Sequence, residues 1–458
     1  MFVHTVKSEG LAHLSYVVGS DGVAAVIDPR RDICRYIELA AAESCRITHI
    51  LETHRNEDLV SGASALAERT GAVVLHGPNS AAEVVYARTA REGDVIELGD
   101  ARLVVIETPG HTDDSLSFAL YASGSDEDAL GVFSGDALFV GDVGRTDFYP
   151  DRPREVAGNL FDSLRKLEAL GDQAILYPAH GAGSVCGGAM ADRDVSTIGH
   201  ERVHNPRLRI ADRDAFIEAK LAEHHDQPPY FRTMERLNLS GAPALRPPLQ
   251  PPPLRQEDFA ARAREAVVVD VRSASAFLGA HLRGSLSLPV GMIGGFAGWL
   301  LSFDDELLLV AEDGDQAATA ARRLARMGFD RVHGYLAPSL TAWAAAGCAF
   351  GSLVVVGAET VHSRTRAAAA GWHLLDVRSP SEVEALRIEA ARNIYLGELP
   401  ERLSSLDPTQ SFTVMCGSGT RATIAASILL RAGFERVDLF LGSIGAWRSR
   451  GFATAGSA

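Results

Sequence analysis

Three short phrases in the first half of the chain carry residue types able to hold a metal: Thr53-His54-Arg55-Asn56-Glu57-Asp58, Thr108-Pro109-Gly110-His111-Thr112 and Ser134-Gly135-Asp136-Ala137-Leu138-Phe139. Each follows a short apolar run or a Pro-Gly turn, so His54, His111 and Asp136 are expected on three loops at strand ends, where ligands collect. Two imidazoles and one carboxylate from three loops can grip one ion from one face and leave its opposite positions free. That arrangement suits non-heme Fe(II) and O2. A second phrase with chemical potential lies near the other end, where Phe412-Thr413-Val414-Met415 runs into Cys416-Gly417-Ser418-Gly419-Thr420-Arg421 and then a helical stretch from Ala422 to Leu430. A cysteine at such a loop-to-helix junction faces backbone N–H groups and the positive helix end, which stabilise a thiolate or a persulfide on it. Gly417 and Gly419 let the backbone curl around the sulfur, and Arg421 is placed to pair with an anionic donor or acceptor.

The elements that must position these loops are also legible. Val23–Asp28, Ala72–Leu75 and Arg102–Ile106 are short apolar runs bounded by Gly, Pro and Asp, and helical stretches such as Gly62–Arg69 lie between them. This mixture predicts a sheet-on-sheet core covered by helices. A helical segment from Asp212 to His225 and a Pro228-Pro229-Tyr230 tail are read as its close. Six prolines between Pro243 and Pro253 then predict an extended, semi-rigid spacer.

Beyond the spacer the chain repeats. Val268-Val269-Asp270-Val271-Arg272-Ser273 returns as Leu374-Leu375-Asp376-Val377-Arg378-Ser379, and Met327-Gly328-Phe329-Asp330-Arg331-Val332 returns as Ala432-Gly433-Phe434-Glu435-Arg436-Val437. Strand runs alternate with helices in each unit, which predicts two small parallel α/β domains. The copies differ where chemistry would live. In the first, Leu307–Val310 leads into Ala311-Glu312-Asp313-Gly314-Asp315-Gln316, which has no nucleophile and three carboxylates in the place of an anion cradle. The reading is therefore residues 1–242 as the metal domain, 243–256 as linker, 257–352 as a silent repeat and 353–458 as the repeat with Cys416.

Together with Tyr177-Pro178-Ala179-His180-Gly181-Ala182-Gly183-Ser184, the three metal phrases resemble the metallo-β-lactamase superfamily, whose first phrase usually reads His-x-His-x-Asp-His and feeds two zinc ions. Here Asn56 and Leu59 stand at two of those histidine positions, and Glu57 adds a negative charge beside the metal. The resemblance implies an αββα sandwich in which His54, His111 and Asp136 hold a single metal. Asp58 and His180 are then left as polar groups that orient a ligand or substrate by hydrogen bonding. Cys186 lies near that metal in the resemblance and is read as a packed small side chain, with sulfur contact as the alternative. His13, His49, His76 and the remaining histidines have no partner phrase and are read as core or surface residues.

The repeats resemble rhodanese, and with Gly141-Asp142-Val143-Gly144-Arg145-Thr146-Asp147-Phe148 the whole is similar to the persulfide dioxygenases fused to rhodanese modules. That resemblance implies one Fe(II) per chain rather than zinc, a low-molecular-weight thiol persulfide such as that of glutathione, O2, and sulfite or thiosulfate as products. It also implies that Cys416 carries sulfane sulfur. Two other readings stay open: a zinc thioester hydrolase resembling glyoxalase II, and a sulfur carrier whose metal domain has decayed.

The bulk numbers limit the alternatives. At 458 residues, with 46% hydrophobic and 22% charged residues, the chain is of globular composition and long enough for about three domains. Its net charge of −15 and lack of any Lys/Arg run disfavour nucleic acid and anionic membranes. An anionic persulfide would then need local cations, for which Arg145, with Arg30 and Arg31 behind it, is the candidate. The five cysteines, Cys34, Cys45, Cys186, Cys348 and Cys416, contain no Cys-x-x-Cys and are expected to be reduced thiols in a cytoplasm. No leader or membrane span is expected, and a homo-oligomer is compatible with this reading.

Overall fold

The computed structural model describes residues 1–456 apart from 80–81, 123, 125–127, 185, 189, 246–248 and 369, so Pro247 and Pro248 of the proline-rich segment lie outside the described residues. The chain forms two compact units, Met1–Arg246 with Ala325–Gly328, and Pro247–Leu324 with Phe329–Ala458.

The first unit is built on two six-stranded sheets. One runs in the order Phe2–Ser8, His13–Ser20, Val23–Ile27, Arg46–Leu51, Val73–His76, Arg88–Thr89, and the other Ser196–Thr197, Ile175–Pro178, Gly131–Gly135, Leu116–Ala122, Ala101–Glu107, Val95–Leu98. The strands obey the two-residue period of a pleat. Leu14, Tyr16 and Val18 point between the sheets to meet Leu103, Phe118 and Phe133, while Val17, Ala24 and Val26 point outward to Tyr36 and Leu66 on helices Cys34–Ala42 and Ala63–Thr70. Helix Pro153–Glu168 covers the other sheet with Val156, Leu160, Leu164 and Leu167, one buried stripe of a 3.6-residue repeat. Pro153 at its first turn and Arg165 and Lys166 in its last suit the helix ends. The result is helix, sheet, sheet, helix, with the site-bearing loops at the strand ends.

Two elements differ from the sequence expectation. The Pro-Pro-Tyr stretch does not close the unit but leads into a further helix, Phe231–Ser240, which buries Phe231, Met234 and Asn238. Asn238 clamps the first metal phrase: its side-chain amide donates to the Asn56 carbonyl at 2.7 Å and the Leu59 carbonyl at 2.8 Å, and accepts from Ser61 N–H at 2.8 Å. The end of the proline-rich segment is also not a free spacer. Pro253–Leu254 pairs in parallel with Val332–Leu336, an edge position where a proline's missing N–H costs no ladder bond.

The second unit holds two five-stranded parallel sheets of identical design. Their orders are Pro253–Leu254, Val332–Leu336, Leu307–Val310, Val267–Asp270, Leu286–Ser287 and Val354–Val356, Val437–Phe440, Ser411–Met415, Trp372–Asp376, Ala391–Asn393. In both, the third strand leads through a short loop into a helix, Gly314–Arg326 and Thr420–Arg431. No helix among the described residues is long and apolar enough to cross a membrane.

Candidate functional site

His54, His111 and Asp136 converge. One ligand atom from each lies within 4.8 Å of the others, and all three residues are buried. Asp136 Oδ2 stands 3.7 Å from His54 Nε2 and 3.4 Å from His111 Nε2. Donors held about 2.1 Å from one ion would sit about 3.0–3.4 Å apart, so the set is close to the size of a metal. The hydrogen bonds behind the imidazoles fix which nitrogen faces inward. Thr53 Oγ1 donates to Asp28 Oδ2 at 2.8 Å and so accepts from His54 Nδ1 at 2.9 Å, while His111 Nδ1 donates to the Arg145 carbonyl at 3.0 Å. Both Nε2 lone pairs are thereby free for the centre. Nε2 of His54 and His111 and Oδ2 of Asp136 are buried without a protein hydrogen-bond partner, as expected of donors to an ion. The residues fit a metal.

The electrostatics agree. Burial lowers His111 to about 3, with Asp136 opposing, so its imidazole is neutral and able to ligate. Burial pushes the Asp136 carboxyl up, but His180, His54 and the hydrogen bond from His180 overcome it and hold the group far below the carboxylate range.

Asp58 and His180 sit one layer behind. His180 Nδ1 donates to Asp136 Oδ1 at 2.7 Å, and its Nε2 lies 3.0 Å from Asp58 Oδ2. Burial disfavours the His180 imidazolium, yet the two flanking carboxylates win and raise it well above 6.5. Cys186 joins Asp58 and His180 in a second buried cluster, also with atoms within 4.8 Å of one another. Burial together with Asp136, Asp58 and Glu57 pushes its thiol well up. The second cluster thus sets a carboxylate against an imidazole of raised pKa beside a thiol pushed up, with the Asp58 oxygens and His180 Nε2 lacking hydrogen-bond partners.

Arg145 lies beside the centre, but its guanidinium is paired within the protein. Its guanidinium is fully buried and spent on Asp147, with Nε and an Nη each 2.6 Å from a carboxylate oxygen, and it packs over the Phe148 ring. What Arg145 contributes to the centre is the carbonyl that orients His111. Arg30 pairs with Asp32 at 3.0 Å, and Arg31 donates to the Pro243 carbonyl at 2.8 Å. Arg55 is a second buried cation near the centre, with its Nη1 3.1 Å from Glu235. Two further groups face inward. Glu57 is buried with both carboxylate oxygens unpartnered, and Tyr230 is buried with an unpartnered hydroxyl whose pKa is raised by burial and by the charges of Asp58 and Cys186. The Pro-Pro-Tyr stretch was a visible turn signal, but nothing local told which way its ring would point.

In the second unit, Cys416 is buried at the end of Ser411–Met415. Its Sγ accepts from Gly419 N–H at 3.1 Å, and its own N–H donates to Ser443 Oγ at 3.0 Å. Gly419, at φ 127°, adopts backbone open to few other residues, which is what turns its N–H onto the sulfur. Arg421 departs from expectation: it forms a two-point ion pair with Glu382 at 2.6 and 2.8 Å. Glu382 is held by a capping box with Ser379, and despite partial burial the Arg421 pair lowers its carboxyl to about 2 from 4.5. A depressed carboxylate pKa stabilises the fold above 4.5 and loses that contribution as pH falls towards 2. Glu382→Gln should therefore cost about 1 kcal/mol at pH 7, reduced by the pair's solvent exposure, and almost nothing near pH 2. Equal losses at both pH values in denaturant titrations would rule this coupling out.

In the first repeat, Ala311 is buried at the position matching Cys416, and the acidic residues cap the following helix themselves: Asp313 accepts from Gln316 N–H at 2.8 Å and Gln316 Oε1 from Glu312 N–H at 2.9 Å. With the Gln316 N–H of the helix taken by Asp313 and carboxylates around the sulfur, Ala311→Cys in a Cys416→Ser background should show no thiosulfate:cyanide sulfurtransferase turnover. Substantial turnover would mean that the acidic loop is not what silences this domain.

The comparisons with known proteins divide along the same line. The model of the Metallo-beta-lactamase superfamily matches residues 9–180, and that of the Rhodanese-like domain matches residues 256–346 and 361–450. A protein of Bradyrhizobium sp. named hydroxyacylglutathione hydrolase is 31% identical over 252 residues, covering 53% of this chain and 92% of the relative. Another of that name from Rhodospirillum rubrum is 36% identical over 162 residues, covering 35% of this chain and only 57% of that relative's length. Among solved structures, a metallo-beta-lactamase from Staphylococcus aureus is 29% identical with a TM-score of 0.66, covering 73% of this chain and 98% of its own.

Proposed function

The chain belongs to the metallo-beta-lactamase superfamily and carries two rhodanese-like domains, and from that premise we propose that it oxidises a low-molecular-weight thiol persulfide with O2 and passes sulfane sulfur through Cys416. The observation that carries this reading is the contrast between two clusters. His54, His111 and Asp136 direct unpartnered atoms at one point with two imidazoles and one carboxylate, while the second cluster, whose Asp58 oxygens and His180 Nε2 also lack hydrogen-bond partners, sets its single imidazole 3.0 Å from its own carboxylate beside Cys186. One metal of the two-histidine, one-carboxylate kind is the economical occupant, with Fe(II) favoured over zinc. Bound iron would supply the electron-transfer chemistry with O2 that neither a thiol nor an imidazole can perform. Overall, one persulfide, one O2 and one water give thiol, sulfite and two protons.

The chain's own part is positioning. The Arg145 carbonyl and Thr53 hold both imidazoles in the ligating tautomer, and His180 holds Asp136 with Oδ2 facing inward. The Tyr230 hydroxyl, free and buried, is placed to donate to an anionic sulfur. Cys416, with the Gly419 N–H on its sulfur, takes or delivers the sulfane sulfur.

The names of the sequence relatives favour a second reading, a glyoxalase II-like thioester hydrolase, which would need a metal-activated hydroxide. Metal analysis of protein produced with iron available, followed by O2 uptake with glutathione persulfide and hydrolysis of a glutathione thioester, separates the two. One iron and persulfide-dependent O2 uptake are expected. Two zincs per chain with thioester hydrolysis and no O2 uptake would give the answer to the hydrolase.

A further inference from the structure

The first metal phrase places a fourth potential donor beside the centre, outside the set of His54, His111 and Asp136 whose ligand atoms lie within 4.8 Å of one another. Glu57 lies between Asn56 and Asp58 on the loop that follows strand Arg46–Leu51. It is 4% exposed, and neither carboxylate oxygen has a protein hydrogen-bond partner. Its Oε2 lies 3.8 Å from His111 Nε2, the nitrogen that also faces Asp136 Oδ2 at 3.4 Å. The nearby cation does not account for it: Arg55 reaches Glu57 only at 4.0 Å and turns its other Nη to Glu235 at 3.1 Å. A carboxylate stripped of water and left without donors is among the costliest groups to bury, and it persists where a cation compensates it.

We propose that Glu57 is a fourth metal ligand, so that this centre is a two-histidine, two-carboxylate site. The proposal rests on the reading of His54, His111 and Asp136 as a metal site and deepens it. The 3.8 Å separation exceeds the spacing of donors on one ion by a few tenths of an ångström, within reach of a side-chain adjustment around the glutamate's own torsions. Two carboxylates neutralise a divalent ion, strengthening its retention, and a fourth donor leaves fewer positions for other ligands. In the Glu57 form the ion therefore has room for one or two exchangeable ligands rather than three.

The test uses full-length protein and Co(II) as the probe, with affinity measured by chelator competition and coordination by the visible spectrum. Glu57→Gln keeps the volume and removes the charge, and Glu57→Ala removes the group. Both variants are expected to bind Co(II) at least about tenfold more weakly and with a changed spectrum. Metal-free thermal stability adds a readout that a merely structural role would move the other way. Removing an uncompensated buried carboxylate should leave metal-free Glu57→Gln as stable as the parent or more so, while shrinking the gain in melting temperature on Co(II) addition. Unchanged affinity and spectrum in both variants, with binding lost in His54→Ala, would overturn the Glu57 assignment alone. Failure of the parent protein itself to bind Co(II) would overturn the three-ligand reading as well.

Discussion

Asp136→Ala is expected to empty the metal centre, taking bound iron from one per chain to near zero and lowering persulfide-dependent O2 uptake by at least about 100-fold. Asp136 is the group both imidazoles share, with Oδ2 3.4 and 3.7 Å from their Nε2 atoms, while Oδ1 holds His180. Truncation removes the anionic donor and at the same time leaves the His180 imidazolium with Asp58 as its remaining carboxylate contact. Two neutral imidazoles facing a buried cation, with Glu57 3.8 Å from one of them as the remaining carboxylate, bind a divalent ion poorly. Elemental analysis and an oxygen electrode on the purified variant check both parts, and a variant that retained iron and rate would show that the metal sits elsewhere.

Cys416→Ser should abolish sulfur transfer to cyanide while leaving O2 uptake with added glutathione persulfide within about twofold of the parent. The serine hydroxyl is not ionised near neutral pH and cannot carry sulfane sulfur, so the Gly419 N–H and the helix end have nothing to stabilise. The donors of the metal centre belong to the first unit and Cys416 to the second, and the two sets share no residue. Loss of O2 uptake with iron still in place would mean that persulfide reaches the metal only by way of Cys416, and the division of roles proposed above would fail.

Much of this molecule was legible along the chain because its signals are local. Apolar runs ending in Thr-His, Pro-Gly-His and Ser-Gly-Asp mark strand ends, and a strand end fixes where a loop residue can reach. Val268–Ser273 and Leu374–Ser379 repeat because two copies of one sheet need the same inner strand, and the Arg two residues past each strand end turns back on the strand's last Asp, Arg272 on Asp270 and Arg378 on Asp376. The exchange of Cys416 for Ala311 needed only the alignment of the copies.

The direction of the charged side chains was decided by tertiary structure. Arg145 and Arg421 look like anion receptors in sequence, but Asp147 and Glu382 reach them first, and Glu382 is 39 residues from its partner. A guanidinium takes whichever carboxylate packing brings within bonding distance, two residues away for Arg145 but from a separate helix for Arg421, and the second choice has no local pattern. Glu57 reads as a negative charge beside the metal, but only the fold shows it buried near His111 without a hydrogen-bond partner, and Tyr230 reads as a tail until helix Phe231–Ser240 turns it inward. Residue types and their spacing along the chain determined what chemistry was available. Only the packing of distant segments decided which of those groups were left unpaired to perform it, because burial and pairing depend on neighbours that the chain brings together across hundreds of positions, such as Asn238 on the carbonyls of Asn56 and Leu59.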